Sequence, residues 1–321
     1  MTCQHISVVI PVYRGEKSIA PLIEEIRPLF ETFTTPGGQE MVVSEVLLVH
    51  DCGPDRSDLV IKAAAESAPD VIKPVWLTRN FGQHAATLAG MGSATGDWIV
   101  TIDEDGQHNP LDMAAMLDVA MQDDLQVVYA APITRPAHPF LRNLTSKLAK
   151  WIGKMVMGQD IVGYFHSYRL VRGEIARSLA AYCGNGVYLD VGLLWVAGRT
   201  GRCPIALRQE NGRPSGYNYS RLFAHFWTMM LTAGTRPLRI ISLVGFFSFM
   251  LAILIGAYAL YGKFTGNVAI QGWASLVIVV AFFSGCILVS LGMIAEYLAV
   301  SMGIAMGKPL YVIGTRSSRL H

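Results

Sequence analysis

Nothing constrains this chain more than two uncharged apolar stretches near its end, Ile240 to Gly262 and Phe264 to Ala295, parted by Lys263 alone. As helices rising about 1.5 Å per residue, each is long enough to cross a hydrocarbon core about 30 Å thick. A buried helical hairpin in a soluble fold is the alternative, and the length of both runs speaks against it. Composition agrees, since 52% hydrophobic and 16% charged residues is too apolar for a purely soluble chain of 321 residues. Two membrane spans are therefore expected, over 238–262 and 271–297. Arg236 and Arg239 precede the first, Lys308, Arg316 and Arg319 follow the second, and the connector carries only Lys263. That asymmetry predicts both ends, and the large N-terminal portion, on the cytoplasmic side of the inner membrane. The first apolar run, "ISVVIPVY", is short, β-branched and broken by Pro11, so it does not read as a cleaved leader. Five scattered cysteines without a CxxC pair suit reduced thiols.

The first 135 residues alternate short β-rich runs with helical patterns. Strands are expected at 6–13, 45–50, 74–78, 97–103 and 126–132, with helical stretches "SIAPLIEEIRPLF", "SDLVIKAAAESA", "HAATLAGMGSA" and "PLDMAAMLDVAMQ" between them. This alternation predicts an α/β fold with a mainly parallel sheet and helices on both faces. Ligands bind beyond the carboxyl ends of such strands, and the polar groups "HDCGPD", "DEDGQH" and the turn Pro11 to Glu16 all fall there. "GMGSATG" is not a dinucleotide loop, because it closes a helix and precedes a strand. Residues 1–218 are expected to form this domain. Within it, 136–157 mixes Arg142, Lys147, Lys150 and Lys154 with Phe140, Leu144 and Trp151, a pattern suited to a helix lying at a membrane surface or docked on the sheet. A second interfacial helix is expected over 219–237, and a cytoplasmic tail over 298–321.

"TIDEDGQHNP" concentrates the chemistry. In an ideal strand Asp103 and Asp105 would share a face about 6.6 Å apart, and Gly106 would let the chain turn directly afterwards. With the Gln107 carbonyl they suit one hard divalent cation, Mg²⁺ or Mn²⁺, that shares its shell with ligand phosphates and water. Paired carboxylates also serve glycoside hydrolysis, but that needs a separation across a cleft which neighbours on one turn supply poorly. His108 is expected exposed or hydrogen-bonded in a polar loop, with metal ligation the lesser alternative.

"SVVIPVYRGE", "EVLLVHDCGPDRSD", "TRNFGQHAATLAGMGSATGDWIVTIDEDGQHNP" and "GRPSGY" together resemble the family 2 glycosyltransferases of GT-A fold, over nearly the whole chain. Within that family the layout is similar to the polyprenyl-phosphate glycosyltransferases, which include dolichyl-phosphate mannose synthase and bacterial undecaprenyl-phosphate sugar transferases with two C-terminal spans. The QxxRW signature of processive synthases is missing. The resemblance implies a nucleotide-diphosphate sugar donor, held by Pro11, Tyr13, Glu16, Asp51, Arg79, Glu104, Arg208 and Arg213, with Asp51 on the base. It implies Asp103, Asp105 and Gln107 at the metal, and Arg135, Arg142 and Ser146 on the phosphate of the acceptor lipid. It further implies membrane lipids as partners, no nucleic acid, and a homo-oligomer of tetramer type. His50 stands where the family usually has aspartate, Glu104 is bulkier and more acidic than the usual small residue, and Val300 replaces a residue that is often basic.

The implied reaction is an inverting, metal-dependent transfer to a lipid phosphate. The acceptor's second pKa is about 6, so it is already largely anionic and needs positioning more than a protein base. Two other classes stay open at this point. One is a membrane-tethered nucleotidyltransferase, which would release nucleotide without lipid phosphate. The other is a membrane scaffold with a degenerate nucleotide fold, against which the retention of both Asp103 and Asp105 weighs.

Overall fold

A computed structural model of the protein describes residues 2–133, 165–184, 187–208, 236–265 and 272–315. At its centre lies β1 (Gln4–Val12), in which every residue from Ile6 to Val12 is buried. Ile6, Val8, Ile10 and Val12 enter one apolar cluster and Val9 enters the other, on the opposite face. A strand covered on both faces has no polar side to show, which is why it reads as a continuous apolar run. β3 (Glu40–His50) is parallel to β1, as are β5 (Trp98–Thr101) on its other side and β4 (Ile72–Leu77) beyond β3. A short β2 (Phe33–Thr34) runs antiparallel to β3.

The helices cover the two faces as the alternation predicts. On one side lie α1 (Ile19–Ile26), α2 (Ser57–Ser67) and α4 (Asp112–Gln122), which contribute Ile19, Leu22, Ile61, Met113 and Leu117 to the first cluster. Ile19, Leu22, Ile23 and Ile26 of α1 recur at helical spacing and are all buried. Burial of each such side chain is worth roughly 1.5–3 kcal/mol. On the other side, α3 (Gln83–Ser93), α5 (Gly173–Tyr182) and α6 (Leu189–Val196) supply Leu88, Leu179 and Leu193 to the second cluster. "GMGSATG" does close α3 ahead of β5.

The sheet is longer than the sequence reading anticipates. β6 (Val127–Pro132), β7 (Arg169–Arg172), β8 (Thr200–Ile205) and β9 (Ile313–Gly314) complete the order β8-β6-β7-β5-β1-β3-β4-β9. β7 runs antiparallel to β5 and β6, and β8 runs parallel to β6. β7, "RLVR", is short and begins and ends in arginine, so it lacks an apolar signature. Its first arginine is nevertheless buried, because it pairs with buried Asp190. β3 starts at Glu40 rather than 45, and its Glu45 is an acid in the core. That carboxylate accepts hydrogen bonds from Ser7 Oγ at 2.6 Å, the Thr95 amide at 2.5 Å and Lys73 Nζ at 2.7 Å. Burial pushes the Glu45 pKa up, but these donors more than offset it and hold it below its usual value.

Two long helices follow, α7 (Arg236–Phe264) and α8 (Trp273–Ala305). Their apolar windows Ile241–Tyr258 and Phe282–Ala305 are long enough to cross a membrane, and none of either window is buried in the protein. Large side chains such as Phe247, Leu254, Leu288 and Leu298 point outward, unlike those of a buried hairpin. α8 runs on to Ala305, past the expected end at 297, so the first residues of the expected tail are helical. The chain then returns to the domain. Leu310 and Tyr311 pack on the second cluster, β9 pairs antiparallel with β4, and the Thr78 amide donates to Val312 O at 3.0 Å. The segment 136–157 lies outside the described residues, as does the expected interfacial helix 219–237 except for residues 236 and 237, which begin α7.

Candidate active site

Parallel pairing puts the C-terminal ends of β1, β3, β4 and β5 on one edge, with Val12 beside His50 and His50 beside Trp76. The loops that follow surround a cleft of about 410 Å³ lined by Pro11, Tyr13, Asp51, Asp103, Glu104 and Asp105, together with Asn80, Gly82 and Gln83. Six side chains expected at a donor site thus share one cavity.

Asp51 is the keystone of its left wall. Its amide donates to Val12 O at 2.8 Å, and its carboxylate accepts the amides of Phe81 at 2.7 Å and Gly82 at 2.9 Å. Burial raises the Asp51 pKa, while the two amides pull it down. The turn that places it is tight. Cys52 has a left-handed φ of 48°, and a Cβ at Gly53 would lie 1.6 Å from the carbonyl oxygen of Tyr13. Glycine is obligatory there, since any side chain would collide with backbone. Arg79 stacks its guanidinium 4.5 Å from the centroid of the Phe81 ring and stays on the same loop.

Asp103 and Asp105 do not extend a strand. β5 ends at Thr101, and the two carboxylates stand in the turn that Gly106, at φ 73°, completes. Spacing along an ideal strand therefore overstates their regularity, yet both still face the cleft. Asp103 accepts from Gln83 Nε2 at 2.6 Å and from Ser167 Oγ at 2.5 Å, and Asp105 accepts the Gln107 amide at 3.1 Å. Glu104 turns to the β1–α1 junction, where it accepts the amides of Tyr13 at 3.1 Å and Arg14 at 3.0 Å. It shapes the cleft by holding that turn. Among the described residues no three His, Cys, Asp or Glu side chains converge as a metal cage. Two carboxylates with free coordination capacity fit a divalent cation that completes its shell with diphosphate oxygens and water, as Mg²⁺ and Mn²⁺ do.

Besides Arg79, three expected residues stand beside the cleft rather than in its wall. The Glu16 carboxylate accepts the Arg56 amide at 3.2 Å, and its own amide donates to Asp55 at 3.0 Å, which ties the β1 turn to the start of α2. The Gln107 carbonyl accepts the Arg208 amide at 3.0 Å. The Arg208 guanidinium pairs with Glu25 at 2.7 Å and reaches Asn109 at 3.3 Å. That ion pair is about two-fifths exposed on each side, so it is worth at most about 1 kcal/mol and is readily exchanged. Arg135, Arg142, Ser146 and Arg213 lie outside the described residues.

His108 departs from the expectation of an exposed or hydrogen-bonded loop residue. It is 4% exposed, with ring centroids 5.1 Å from both His166 and Tyr168, and its Nδ1 has no hydrogen bond among the described residues. Burial lowers its pKa against the pull of Asp103, Asp105 and Asp112. His166 is pushed down to about 4, by burial first and by His108 second. Both imidazoles are accordingly neutral near pH 7. Sequence reasoning passed over His166, Ser167, Arg169 and Asp190, which sit in "YFHSYRL" and "YLDVGLL". The signal available was a pair of opposite charges inside otherwise apolar runs.

With this geometry in place, the sequence profile described as Glycosyl transferase family 2 matches residues 7–179, more than half the chain. The chain belongs to glycosyl transferase family 2, and it is an enzyme of that class with a GT-A domain and two apolar C-terminal helices. It is 28% identical over 314 residues to the undecaprenyl-phosphate 4-deoxy-4-formamido-L-arabinose transferase of Pectobacterium atrosepticum, covering 97% of this chain and 93% of that one. It is 25% identical over 314 residues to the bactoprenol glucosyl transferase of Shigella phage SfX, covering 97% and 99%. Among solved structures, glucosyl-3-phosphoglycerate synthase from Mycobacterium tuberculosis, in complex with Mn²⁺, UDP and glucosyl-3-phosphoglycerate, overlaps 73% of this chain and 80% of that one. The TM-score is 0.49 at 17% identity, a likeness of outline only.

Proposed function

We propose that this enzyme transfers a sugar from a UDP-linked donor to polyprenyl phosphate, of the undecaprenyl kind, at the cytoplasmic face of the inner membrane. The observation that carries the reading is a nucleotide-type cleft in a domain whose sheet takes its last strand from chain returning out of two apolar helices. The full-length likeness to two enzymes named for undecaprenyl-phosphate or bactoprenol transfer supports the acceptor class.

In this reading Asp51 and the loop it clamps hold the base and ribose side, and Asp103 and Asp105 hold the divalent cation. Bound there, Mg²⁺ or Mn²⁺ supplies charge neutralisation for the leaving diphosphate. An oxygen of the lipid phosphate attacks the anomeric carbon from the face opposite the nucleotide. The carbon–oxygen bond to the β-phosphate breaks, UDP departs, and the configuration inverts. No proton has to be removed, because the phosphate monoester is already ionised. Arg208, once released from its exposed pair with Glu25, is assigned to the donor's diphosphate on sequence grounds. Arg135, Arg142 and Ser146 are assigned to the acceptor phosphate on sequence grounds.

The test is a screen of nucleotide sugars against undecaprenyl phosphate, with glycolipid extraction and Mg²⁺ or Mn²⁺ as the variable. Lipid-linked sugar formed only with the cation supports the proposal, and free nucleotide released equally well without lipid sinks it. Arg142→Lys keeps the charge and loses the bidentate fork. It should raise the KM for lipid phosphate about tenfold or more with nucleotide-sugar affinity nearly unchanged. The reverse pattern would move Arg142 to the donor side.

A further inference from the structure

A second cavity of about 320 Å³ opens beside the first, between the start of α3, the residues ahead of β7 and the start of α6. We propose that this cavity receives the sugar ring of the donor, and that His84, Phe165 and Tyr188 decide which sugar is accepted. This rests on the donor reading above and assigns residues to a part of the site which that reading leaves open.

Placement is the first ground. Gln83 lines both cavities, and Gln83 and Ser167, on the wall of the second, are the two side chains that hold Asp103. The second cavity therefore begins where the cation end of the first stops, and a group attached to the β-phosphate has that way to go. Its volume is at the lower end of the roughly 300–1,000 Å³ typical of ligand pockets, right for one ring rather than a polyprenyl chain.

The walls are the second ground. The His84 and Tyr188 rings stand 4.5 Å apart, and Phe165 lies 6.2 Å from Tyr188, so aromatic surface faces the interior. Such surface covers the C–H face of a pyranose or pentose. Hydroxyl-reading groups accompany it, in His166 and the buried Arg169–Asp190 ion pair. Burial raises the Asp190 pKa and the neighbouring guanidinium opposes it. Because Arg169 and Asp190 cancel each other, the wall formed by the described residues offers polar atoms with no net charge. A second phosphate would need an unmatched cation there, and a lipid tail would strand a buried ion pair against hydrocarbon. An uncharged polyhydroxylated ring meets neither objection.

The experiment uses the full-length protein in detergent with Mn²⁺. UDP and a panel of UDP-hexose, UDP-pentose and UDP-N-acetylhexosamine are titrated into wild type, His84→Ala and Tyr188→Leu, with polyprenyl-phosphate KM measured alongside. The expected result is UDP affinity within about twofold of wild type, with a loss of about tenfold for the preferred sugar and a changed ranking across the panel. Tyr188→Leu replaces the ring by an aliphatic side chain of similar depth, so it reports even if His84→Ala folds poorly. An unchanged ranking with UDP binding intact overturns the sugar assignment alone. A shift confined to the KM for polyprenyl phosphate overturns it in favour of the acceptor. Failure of the wild type to bind UDP with Mn²⁺ overturns the donor reading itself, and this inference with it.

Discussion

At the scale of single residues, the cleft divides carboxylates by what already occupies their oxygens. Glu104 and Asp51 accept two backbone amides each and act as clamps, whereas among the described residues Asp105 accepts one amide, at one of its oxygens. Asp105→Asn removes an anionic ligand and nearly keeps the shape. Turnover should fall about a hundredfold or more, with an unchanged melting profile in the absence of metal. Full activity in this variant under chelator would remove the cation from the mechanism. His166 makes a separate prediction about acid stability. Its folded pKa is about 4 against an ordinary 6.5, so the unfolded chain takes up a proton first as pH falls. Its contribution is fully present above pH 6.5 and is lost between there and pH 4, a change on the order of 3 kcal/mol. Nδ1 accepts the Tyr168 amide at 3.2 Å, and His166→Asn keeps an acceptor there while abolishing the titration. Denaturation midpoints of the metal-free protein across that window should fall less steeply in the variant. An identical slope would show that His166 is not the group responsible.

At the scale of elements, the unexpected piece is β9. A two-residue strand contributes little alone, but Tyr311 packs beside α3 and α5, and the Thr78–Val312 hydrogen bond lies immediately before the loop that Asp51 clamps. The end of α8 is thereby joined to the wall of the cleft. Tyr311→Ala should cost about 2 kcal/mol, less than the 3–5 typical of a fully buried aromatic because this ring is half-buried. It should also weaken nucleotide binding, since the Arg79–Gly82 loop loses its outer support. Unfolding followed by intrinsic fluorescence, with a parallel UDP titration, measures both. A loss of stability with nucleotide affinity unchanged would mean that β9 anchors the domain without touching the site's order.

At the scale of the whole molecule, two outward-facing apolar helices and a domain that takes back the chain after them call for a membrane beside the domain. Ile304, near the end of α8, lies where a Cβ on Gly184 would touch it at 3.0 Å, just past α5. The domain and the end of α8 therefore share one side of that membrane. The balance of basic residues predicts that this is the cytoplasmic side. Single cysteines placed at 266–271 in a cysteine-free background should label from outside intact cells, while positions in residues 2–133 should label only after permeabilisation. Labelling of the domain in intact cells would invert the orientation.

The sequence by itself determined the class of fold, the edge on which the polar strand ends gather and the two apolar helices. Those properties are written in local terms. A doubly covered strand must be apolar throughout, a ligand-bearing strand end must turn polar, and a lipid-facing helix must lose its charge. That Asp51, Asp103 and Asp105 gather at this edge was readable for the same reason, because Asp51 directly follows β3 and the other two stand in the turn after β5. The tertiary structure alone decided the rest. Glu104 and Glu16 look like ligands in sequence and are engaged by backbone amides from distant turns, as Glu104 is by Tyr13 and Arg14. β7 carries no apolar signature, because Arg169 is made tolerable in the core by partners distant in the chain, Asp190 of α6 and Thr101 of β5. β9 is too short for periodicity and exists because β4 offers an open edge for its hydrogen bonds. Partners far apart in the chain leave no mark on local pattern, and these parts of the site are made of such partners.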